Sequence, residues 1–270
     1  VSNKQENKSM EGKIINSRNI PLQIQREVRK RCGFGCVLCG LPLYEYEHME
    51  EWAQVKRHIA DEITLLCDQH HREKTSKLLP KEIVIEANKN PFNLKEGVSK
   101  PYTLHYSGDS AKVIIGNVAF VNKDKGYGTQ LIPILVDNIP IIGIILADGH
   151  FLLNMLLFDE FNNIILHIKN NQLIYKTDLF DIQFISKTIT IREKLRKIFI
   201  VIKFETPNTI IISKGKFLIN GVEIIIDNDK ILVNNSKSSF SNFTIDSQVG
   251  ISIGNNSIPS LFNMKEVKRY

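Results

Sequence analysis

Apolar residues in the first third of the chain recur at intervals that suit short helices and short strands. The spacing predicts helices over residues 22–32, 67–78 and 81–88, with Pro21 in the first turn of the first helix and Gly33 and Pro80 as terminators. Alternation of apolar and polar residues over 44–49 and 63–66 predicts two short strands. After the first helix, the predicted order is therefore strand, strand, helix.

From about residue 111 onward, the pattern is typical of β-structure. Runs rich in Ile, Val, Leu and Phe alternate with turn-forming pairs, which are Asp148-Gly149, Asn170-Asn171, Asn220-Gly221 and Asn228-Asp229. Strands are predicted over residues 112–121, 139–146, 151–158, 163–168, 182–185, 209–213, 222–226 and 231–233. Residues 189–204 fit either a helix or a strand. The predicted class is α+β, with a mainly-β domain built as a sandwich or a solenoid-like stack.

The length of 270 residues suits more than one domain. Residues 1–18 are polar and aperiodic and predict a flexible arm, followed by a small module over 19–105 and a β-rich domain over 110–270. The most apolar stretch, 131–147, is interrupted by Pro133, Asp137 and Pro140, which favours buried strands over a membrane span. The polar N-terminus lacks the apolar core of a signal peptide, so we expect a cytoplasmic protein with no membrane partner.

All four cysteines lie in the first quarter of the chain. Clustered cysteines in a reducing compartment bind metal more often than they form disulfides. Cys36 and Cys39 form one Cys-x2-Cys pair, and Cys67 and His70 form a second pair with the same spacing, which is typical of a tetrahedral zinc site. We predict one structural zinc ion, whose binding free energy would help a small module to fold. Cys32 is predicted to be a free thiol or, alternatively, to replace one of the four ligands.

The residues around these pairs resemble an HNH-type (ββα-metal) endonuclease. The matching text is Cys36-Val-Leu-Cys39-Gly40, then Glu47-His48, then Leu66-Cys67-Asp-Gln-His70-His71 and Lys74. In that family, Cys-x2-Cys-Gly precedes an acidic residue followed by His, and a second pair followed by His and a nearby Lys comes later. The order is the same here. The resemblance covers only the part of the chain between roughly residues 20 and 80.

The resemblance implies a nuclease that hydrolyses phosphodiester bonds with one divalent ion, Mg²⁺ or Mn²⁺. His48 would be the general base that takes a proton from water, a task suited to imidazole because its pKa lies near neutrality. Glu47 and His71 would hold the ion against the scissile phosphate. His70 and His71 lie about 100° apart around a helix, so one can face the zinc and the other the catalytic ion.

The sequence departs from the family in two places. His70 stands where Cys is usual, and zinc accepts either ligand. Glu62 stands where the family has a central Asn, and it is the fourth candidate catalytic residue. An ionised carboxylate can ligate a metal ion, but it cannot donate a hydrogen bond as Asn does. Asp61 and His58 are alternatives for the role of that Asn.

The formal net charge of +6 and the pI near 9.0 suit a polyanionic partner. Four basic residues flank the motif and are predicted to contact nucleic acid: Arg57, Arg72, Lys74 and Lys77. Lys74 and Lys77 would form a phosphate-facing stripe on the predicted helix, although a solvated face fits Lys77 equally well. The first helix carries another basic group that either contacts phosphate or forms a solvated face: Arg26, Arg29, Lys30 and Arg31.

Three functions remain open from the sequence. The first is a DNA endonuclease, with RNA as an alternative substrate, whose β-rich domain supplies target recognition, oligomerisation or docking to a protein partner. By analogy with proteins of this architecture, we expect a role in restriction or antiphage defence. The second is a catalytically inactive, zinc-dependent DNA-binding module, and the third is a nuclease effector activated by a partner. Tyr44 and Trp52 are expected to pack around the small core and not to stack on bases.

Overall fold

The computed structural model describes residues 19–123, 128–174, 180–227, 229–234 and 238–270. The arm predicted over residues 1–18 and Asn228 of a predicted Asn228-Asp229 turn lie outside these ranges. The described residues form an α+β structure with few helices and mostly strands, as the sequence predicts. Within them, no helix is long and apolar enough to cross a membrane.

The described helices all precede the large sheets. The helices are α1 (Leu22–Arg31), α2 (Trp52–Val55), α3 (Asp68–Thr75), α4 (Lys81–Lys89) and α5 (Phe92–Glu96). A short 3-10 helix spans Ala60–Glu62. Strands β1 (Glu45–His48) and β2 (Ile63–Leu66) form an antiparallel pair, with Glu47 opposite Thr64. The predicted order of strand, strand, helix is therefore present as β1, β2 and α3.

Helices α1 and α3 end in the same way. In α1, Gly33 adopts a positive φ of 66°, and the Phe34 N–H donates to the Arg29 carbonyl, which closes the last turn. In α3, Lys77 adopts the left-handed conformation, and the Leu78 N–H donates to the Glu73 carbonyl. Helix α3 thus ends at Thr75, earlier than predicted. Lys77 is not helical, so the predicted helical stripe of Lys74 and Lys77 is wrong.

A small apolar core joins the helical part of the chain. Val28 from α1, Ile63 and Leu65 from β2, and Val84 from α4 are completely buried in it. Tyr44 packs against this cluster, as expected. The core is small, because short helices and two short strands offer few apolar side chains for burial.

The first large sheet contains eight strands. These are β3 (Leu104–His105), β6 (Thr129–Val136), β7 (Ile139–Ala147), β8 (His150–Phe158), β9 (Ile164–Lys169), β10 (Gln172–Ile174), β19 (Val249–Ile253) and β20 (Phe262–Met264). Their order is β10-β9-β8-β7-β6-β19-β20, and β3 also pairs with β8. Neighbours from β10 to β6 are antiparallel, whereas β19 runs parallel to β6 and to β20.

The second large sheet contains ten strands. These are β4 (Ser110–Ile115), β5 (Val118–Lys123), β11 (Asp181–Ile185), β12 (Thr188–Lys194), β13 (Lys197–Glu205), β14 (Thr209–Ile219), β15 (Val222–Asp227), β16 (Lys230–Val233), β17 (Ser238–Phe240) and β18 (Thr244–Asp246). Consecutive strands from β11 to β17 are neighbours. Strand β14 also pairs in parallel with β4, which leads to β5 and β18.

The two large sheets bury one shared apolar cluster. Ile134 and Leu153 enter it from the first sheet, and Ile202, Ile212 and Phe217 enter it from the second. Each of these side chains is at most 2% exposed, and burial of such a side chain stabilises a fold by about 1.5–3 kcal/mol. A core shared by two sheets fits the sandwich alternative of the prediction, and the described strands confirm a mainly-β domain.

The strand predictions hold with three differences. Residues 112–121 form the hairpin of β4 and β5, because the chain turns at Gly116, which has a φ of +60°. Residues 189–204 belong to β12 and β13, with Arg196 in a left-handed turn, so the helical alternative is wrong. The strand predicted over 209–213 continues to Ile219. Three predicted turns that the structure describes in full have two successive positive φ values, as at Asn220-Gly221 with 47° and 74°.

Candidate functional site

Cys36 and Cys39 lie in a tight backbone turn between α1 and β1. The Cys36 N–H donates to the Leu41 carbonyl at 2.9 Å, and the Gly40 N–H donates to the Cys36 carbonyl at 2.8 Å. Gly40 has a φ of +75°, and a Cβ there would lie 2.2 Å from Oδ1 of Asn93. Only glycine fits this close approach, which explains the Cys-x2-Cys-Gly sequence.

Cys67 and His70 come from the start of α3. Cys67 is the N-cap residue, and its carbonyl accepts a hydrogen bond from the His71 N–H at 2.8 Å. The His70 Nδ1 atom lies 3.3 Å from Sγ of Cys67 and 3.3 Å from Sγ of Cys36. The sulfurs of Cys39 and Cys67 are 3.8 Å apart. A single turn of helix thus brings an imidazole and a thiol of the second pair onto the first pair.

The four side chains have the spacing of a tetrahedral metal site. All their ligand atoms lie within 4.8 Å of one another. Zinc–sulfur bonds of about 2.3 Å would place two sulfurs of a tetrahedron about 3.8 Å apart, which is the separation of Cys39 and Cys67. Within the described ranges, no other group of three or more His, Cys, Asp or Glu residues converges in this way. The cluster could hold a metal ion, and its donor set is compatible with structural zinc.

A hydrogen bond between two thiols of the cluster shifts their pKa values in opposite directions. The pKa of Cys39 is lowered to about 5, mainly because the Cys36 thiol donates a hydrogen bond to it. The same hydrogen bond, followed by burial, raises the pKa of Cys36, and burial raises the pKa of Cys67. Cys39 therefore loses its proton readily, whereas Cys36 and Cys67 keep theirs to higher pH. A bound cation would replace the retained protons, so metal binding here releases protons.

Cys32 lies outside this cluster. It follows α1 and is completely buried, and its Sγ lies 3.9 Å from the Thr64 hydroxyl and 3.7 Å from Oδ1 of Asn88. Burial raises the pKa of its thiol. The prediction of a separate thiol is confirmed, and the alternative in which Cys32 replaces a cluster residue is wrong.

A second polar group joins β1 to α3. Oε2 of Glu47 lies 2.9 Å from Nε2 of His71, and the other carboxylate oxygen accepts a hydrogen bond from Lys74. Lys74 also donates to the His48 carbonyl at 2.8 Å. Residues two apart on a strand share a face, and Glu45 accordingly lies 3.2 Å from Nδ1 of His71. The structure thus brings the predicted Glu47 and His71 together.

The Glu47–His71 separation also suits two neighbouring ligands of an octahedral ion. Ligands at about 2.1 Å from Mg²⁺ lie about 3 Å apart in neighbouring positions, close to the 2.9 Å found here. The pair supplies two protein ligands, and Mg²⁺ in proteins usually keeps water and phosphate oxygens in its other positions. Glu47 and His71 could thus supply two ligands, but the 2.9 Å separation is equally that of an ion pair, and Glu47 also pairs with Lys74.

His48 belongs to a separate aromatic group. Its Nε2 lies 3.2 Å from Nδ1 of His58, and its ring centroid lies 5.0 Å from that of Trp52. Trp52 stacks on His58, with centroids 4.6 Å apart and planes inclined by 22°. Burial, then the repulsion that two protonated rings of His48 and His58 would exert on each other, lowers the pKa of His48, which favours the neutral imidazole. The predicted role of Trp52 in the small core is wrong, because it stacks on imidazoles and is not in that cluster.

The carboxylate of Glu62 pairs with Arg57. Its carboxylate accepts hydrogen bonds from Arg57, including one of 3.1 Å from Nε, and this lowers the pKa of Glu62. Its backbone carbonyl accepts a hydrogen bond from the Met49 N–H at 2.9 Å. The backbone of Glu62 thus holds Met49, which follows β1, in place. The alternative Asp61 is 86% exposed and faces Arg31 at 3.8 Å.

The predicted nucleic-acid contacts differ in exposure. Arg72 and Lys77 are exposed, and Arg57 is exposed but paired with Glu62. Lys74 is only 13% exposed and belongs to the Glu47 site. The exposure of these side chains does not test whether they contact nucleic acid, so that role stays a prediction.

Of the four basic residues of α1, Lys30 is exposed as a solvated face requires, whereas Arg29 and Arg31 are occupied inside the protein, contrary to both sequence alternatives. Arg29 is 3% exposed and pairs with Asp181 of β11. Arg31 donates hydrogen bonds to the carbonyls of Ala60 and Ile63 and to Oδ1 of Asn88. These arginines connect elements, so neither is a free phosphate ligand or part of a solvated face.

No protein-family model, curated protein or solved structure matches this chain. The assignment to HNH endonucleases therefore stays a prediction that rests on the motif and on the geometry above. Several site residues had no clear signal in the sequence, among them Glu45, Trp52 and His58 as partners of the predicted residues. The alternation of Glu45 and Glu47 along β1 could have indicated the first of them.

Proposed function

We propose that this chain is a metal-dependent DNA endonuclease of the HNH, ββα-metal type. The observation that carries the proposal is the 2.9 Å approach of Glu47 on β1 to His71 on α3, where Glu47 directly precedes His48 in the sequence. The same β1, β2 and α3 unit is framed by the Cys36, Cys39, Cys67 and His70 cluster. For that cluster we propose a structural zinc, because three thiols and one imidazole suit zinc better than Mg²⁺ or Mn²⁺.

The proposed reaction is hydrolysis of a phosphodiester bond by water. Neutral His48 accepts the proton of the attacking water. Glu47 and His71 would hold Mg²⁺ or Mn²⁺, and the bound ion would stabilise the negative charge that develops on phosphate. Lys74 fixes both the Glu47 carboxylate and the His48 carbonyl, and it thereby holds the end of β1 in place. Arg72 and Lys77 contact the nucleic-acid backbone from the exposed side of the site.

The test is nicking of supercoiled plasmid in Mg²⁺ or Mn²⁺ by the wild-type protein and by a His48→Ala variant. We expect the variant to lose activity by about 10²–10⁴-fold, the usual contribution of a general base. A matched control is His105→Ala, because His105 is an exposed histidine on β3. Wild-type activity in the His48 variant would contradict the proposal, and the same series on single-stranded RNA distinguishes DNA from RNA substrates.

A second candidate function is zinc-dependent DNA binding without catalysis. It is favoured by Glu62, which replaces the expected Asn and is locked in an ion pair with Arg57. In that case the protein shifts DNA on a gel but cuts no plasmid under any divalent ion. Cleavage that depends on His48 excludes this candidate.

A further inference from the structure

Among the described residues, His58 is the side chain that forms a hydrogen bond with a ring nitrogen of His48. Its Nδ1 lies 3.2 Å from Nε2 of His48, and the two rings are 5.3 Å apart at an angle of 41°. His58 reaches this position from the loop between α2 and the 3-10 helix, ten residues after His48. Trp52 stacks on His58 at 4.6 Å and limits the movement of its ring.

We propose that His58 is a positioning residue that sets the tautomer of His48, an inference that rests on the proposed nuclease function. A neutral imidazole carries one N–H and one acceptor nitrogen, and the hydrogen bond made by one nitrogen decides the state of the other. In the proposed arrangement, Nε2–H of His48 donates to Nδ1 of His58, which is one of the two directions that the 3.2 Å contact allows. The lone pair at Nδ1 of His48 then remains for the proton of water.

The proton balance of this arrangement is complete. His48 holds its proton on Nε2, and His58 holds its own proton on Nε2. When His48 takes a proton from water at Nδ1, it becomes an imidazolium that still donates to His58. The charged groups around His48 are Glu47, Glu62 and Lys74, and none of them makes this hydrogen bond. His58 therefore orients His48 without touching the substrate.

Two properties of His58 can be changed separately by substitution, namely its aromatic ring and its Nδ1 acceptor. His58→Phe keeps an aromatic ring for stacking on Trp52 but removes the nitrogen. His58→Asn loses the stack but places an amide oxygen near the position of Nδ1, where it can accept from His48. A residue that only packs would be replaced well by Phe and poorly by Asn. A residue that sets the tautomer shows the opposite order.

The experiment combines plasmid nicking with nitrogen NMR of His48. We expect His58→Phe to lower kcat by about 10–100-fold with little change in KM, the usual effect of losing an orienting partner. His58→Asn recovers most of that loss. In protein without added Mg²⁺ or Mn²⁺, the ¹⁵N shifts of His48 show Nε2–H in the wild type and in His58→Asn, and a mixture of tautomers in His58→Phe.

The outcomes distinguish this inference from the proposed function. If His58→Phe keeps the wild-type kcat and tautomer while His48→Ala is inactive, the inference fails and the nuclease proposal stands. If His58→Phe is as active as the wild type and His58→Asn is not, His58 only packs and the inference fails; it also fails if both variants lose activity equally with an unchanged His48 tautomer. If His48→Ala cuts like the wild type, the nuclease proposal fails. The NMR comparison decides on the tautomer even where no variant cuts.

Discussion

Arg29 of α1 and Asp181 of β11 form a buried, two-point ion pair. Nε and one terminal nitrogen of Arg29 donate to the two carboxylate oxygens at 2.8 and 2.9 Å. The other terminal nitrogen donates to the hydroxyl of Tyr46, which lies on β1 between Glu45 and Glu47. One guanidinium group thus connects the second large sheet to the strand that carries the candidate catalytic residues.

Replacing Asp181 by Asn should destabilise the protein strongly. Asp181 is completely buried and also lies 3.3 Å from Arg192, so its loss leaves buried positive charge without a counterion. Breaking such a pair on one side typically costs about 3–5 kcal/mol. Urea unfolding followed by the fluorescence of Trp52 and by circular dichroism measures the change. Glu205→Gln, which affects an exposed carboxylate paired with lysines, serves as the control and should change stability little. A stability of Asp181→Asn close to the wild type would contradict a structural role for the pair.

Replacing Cys39 by Ser should remove the bound metal. We expect about one zinc per chain in the wild type by elemental analysis, and a lower zinc content and a lower melting temperature in Cys39→Ser, because binding free energy contributes to folding. Cys32→Ala is the matched control, since Cys32 is a buried cysteine outside the cluster. It should keep its zinc. Equal zinc content in both variants would show that Cys39 is not a ligand.

The metal cluster was predictable because its information is local. Cys36 and Cys39 lie in one turn, and Cys67 and His70 lie in the first turn of one helix, so spacing alone places each pair. The sequence also predicted most strands, whose apolar alternation is strong. It left residues 189–204 open, because a bulge near Ile191 interrupts the alternation along β12 and β13.

The relationships that the sequence did not reveal depend on tertiary packing. Arg29 and Asp181 are 152 positions apart, and no spacing rule pairs them. His58 was considered only as a substitute for the missing Asn, whereas it contacts His48 through a loop whose path is set by the stacking of Trp52. Lys74 was expected to face phosphate, but its ammonium group donates to the Glu47 carboxylate and to the His48 carbonyl of β1.

Glu47 and Glu45 offer a matched pair for testing the proposed catalytic ion. Both carboxylates lie beside His71, but Glu47 is only 17% exposed and Glu45 is 58% exposed. Glu47→Gln should lower the nicking rate by about 10²-fold or more, because a neutral amide is a poor ligand for Mg²⁺. Glu45→Gln should stay within a few-fold of the wild type. Rates measured over a range of Mn²⁺ concentrations check this, and equal rates for both variants would refute the assignment of Glu47 as an ion ligand.

Asp137 joins the turn between β6 and β7 to the C-terminal residues. Its carboxylate accepts hydrogen bonds from Arg269 at 2.7 and 2.8 Å, from Asn220 at 3.0 Å and from the Asn255 N–H at 3.1 Å. The hydrogen bond from Arg269 is the largest cause that lowers the pKa of Asp137 from 3.8 to about 2. The folded state therefore holds the proton of this group less tightly than the unfolded state does.

Asp137→Asn should lose a stabilisation that depends on pH. Because the pKa is lower in the folded state, the stabilisation is complete above the unfolded pKa of 3.8 and disappears as pH falls through the folded value of about 2. Allowing for solvent at the half-exposed Arg269, we expect a difference of about 1–2 kcal/mol at pH 7. Asn tolerates the positive φ of 47° at this turn, so the substitution preserves the backbone. Urea unfolding of both proteins between pH 7 and pH 2 measures the difference, and a gap that stays constant over this range would contradict the ionic origin of the stabilisation.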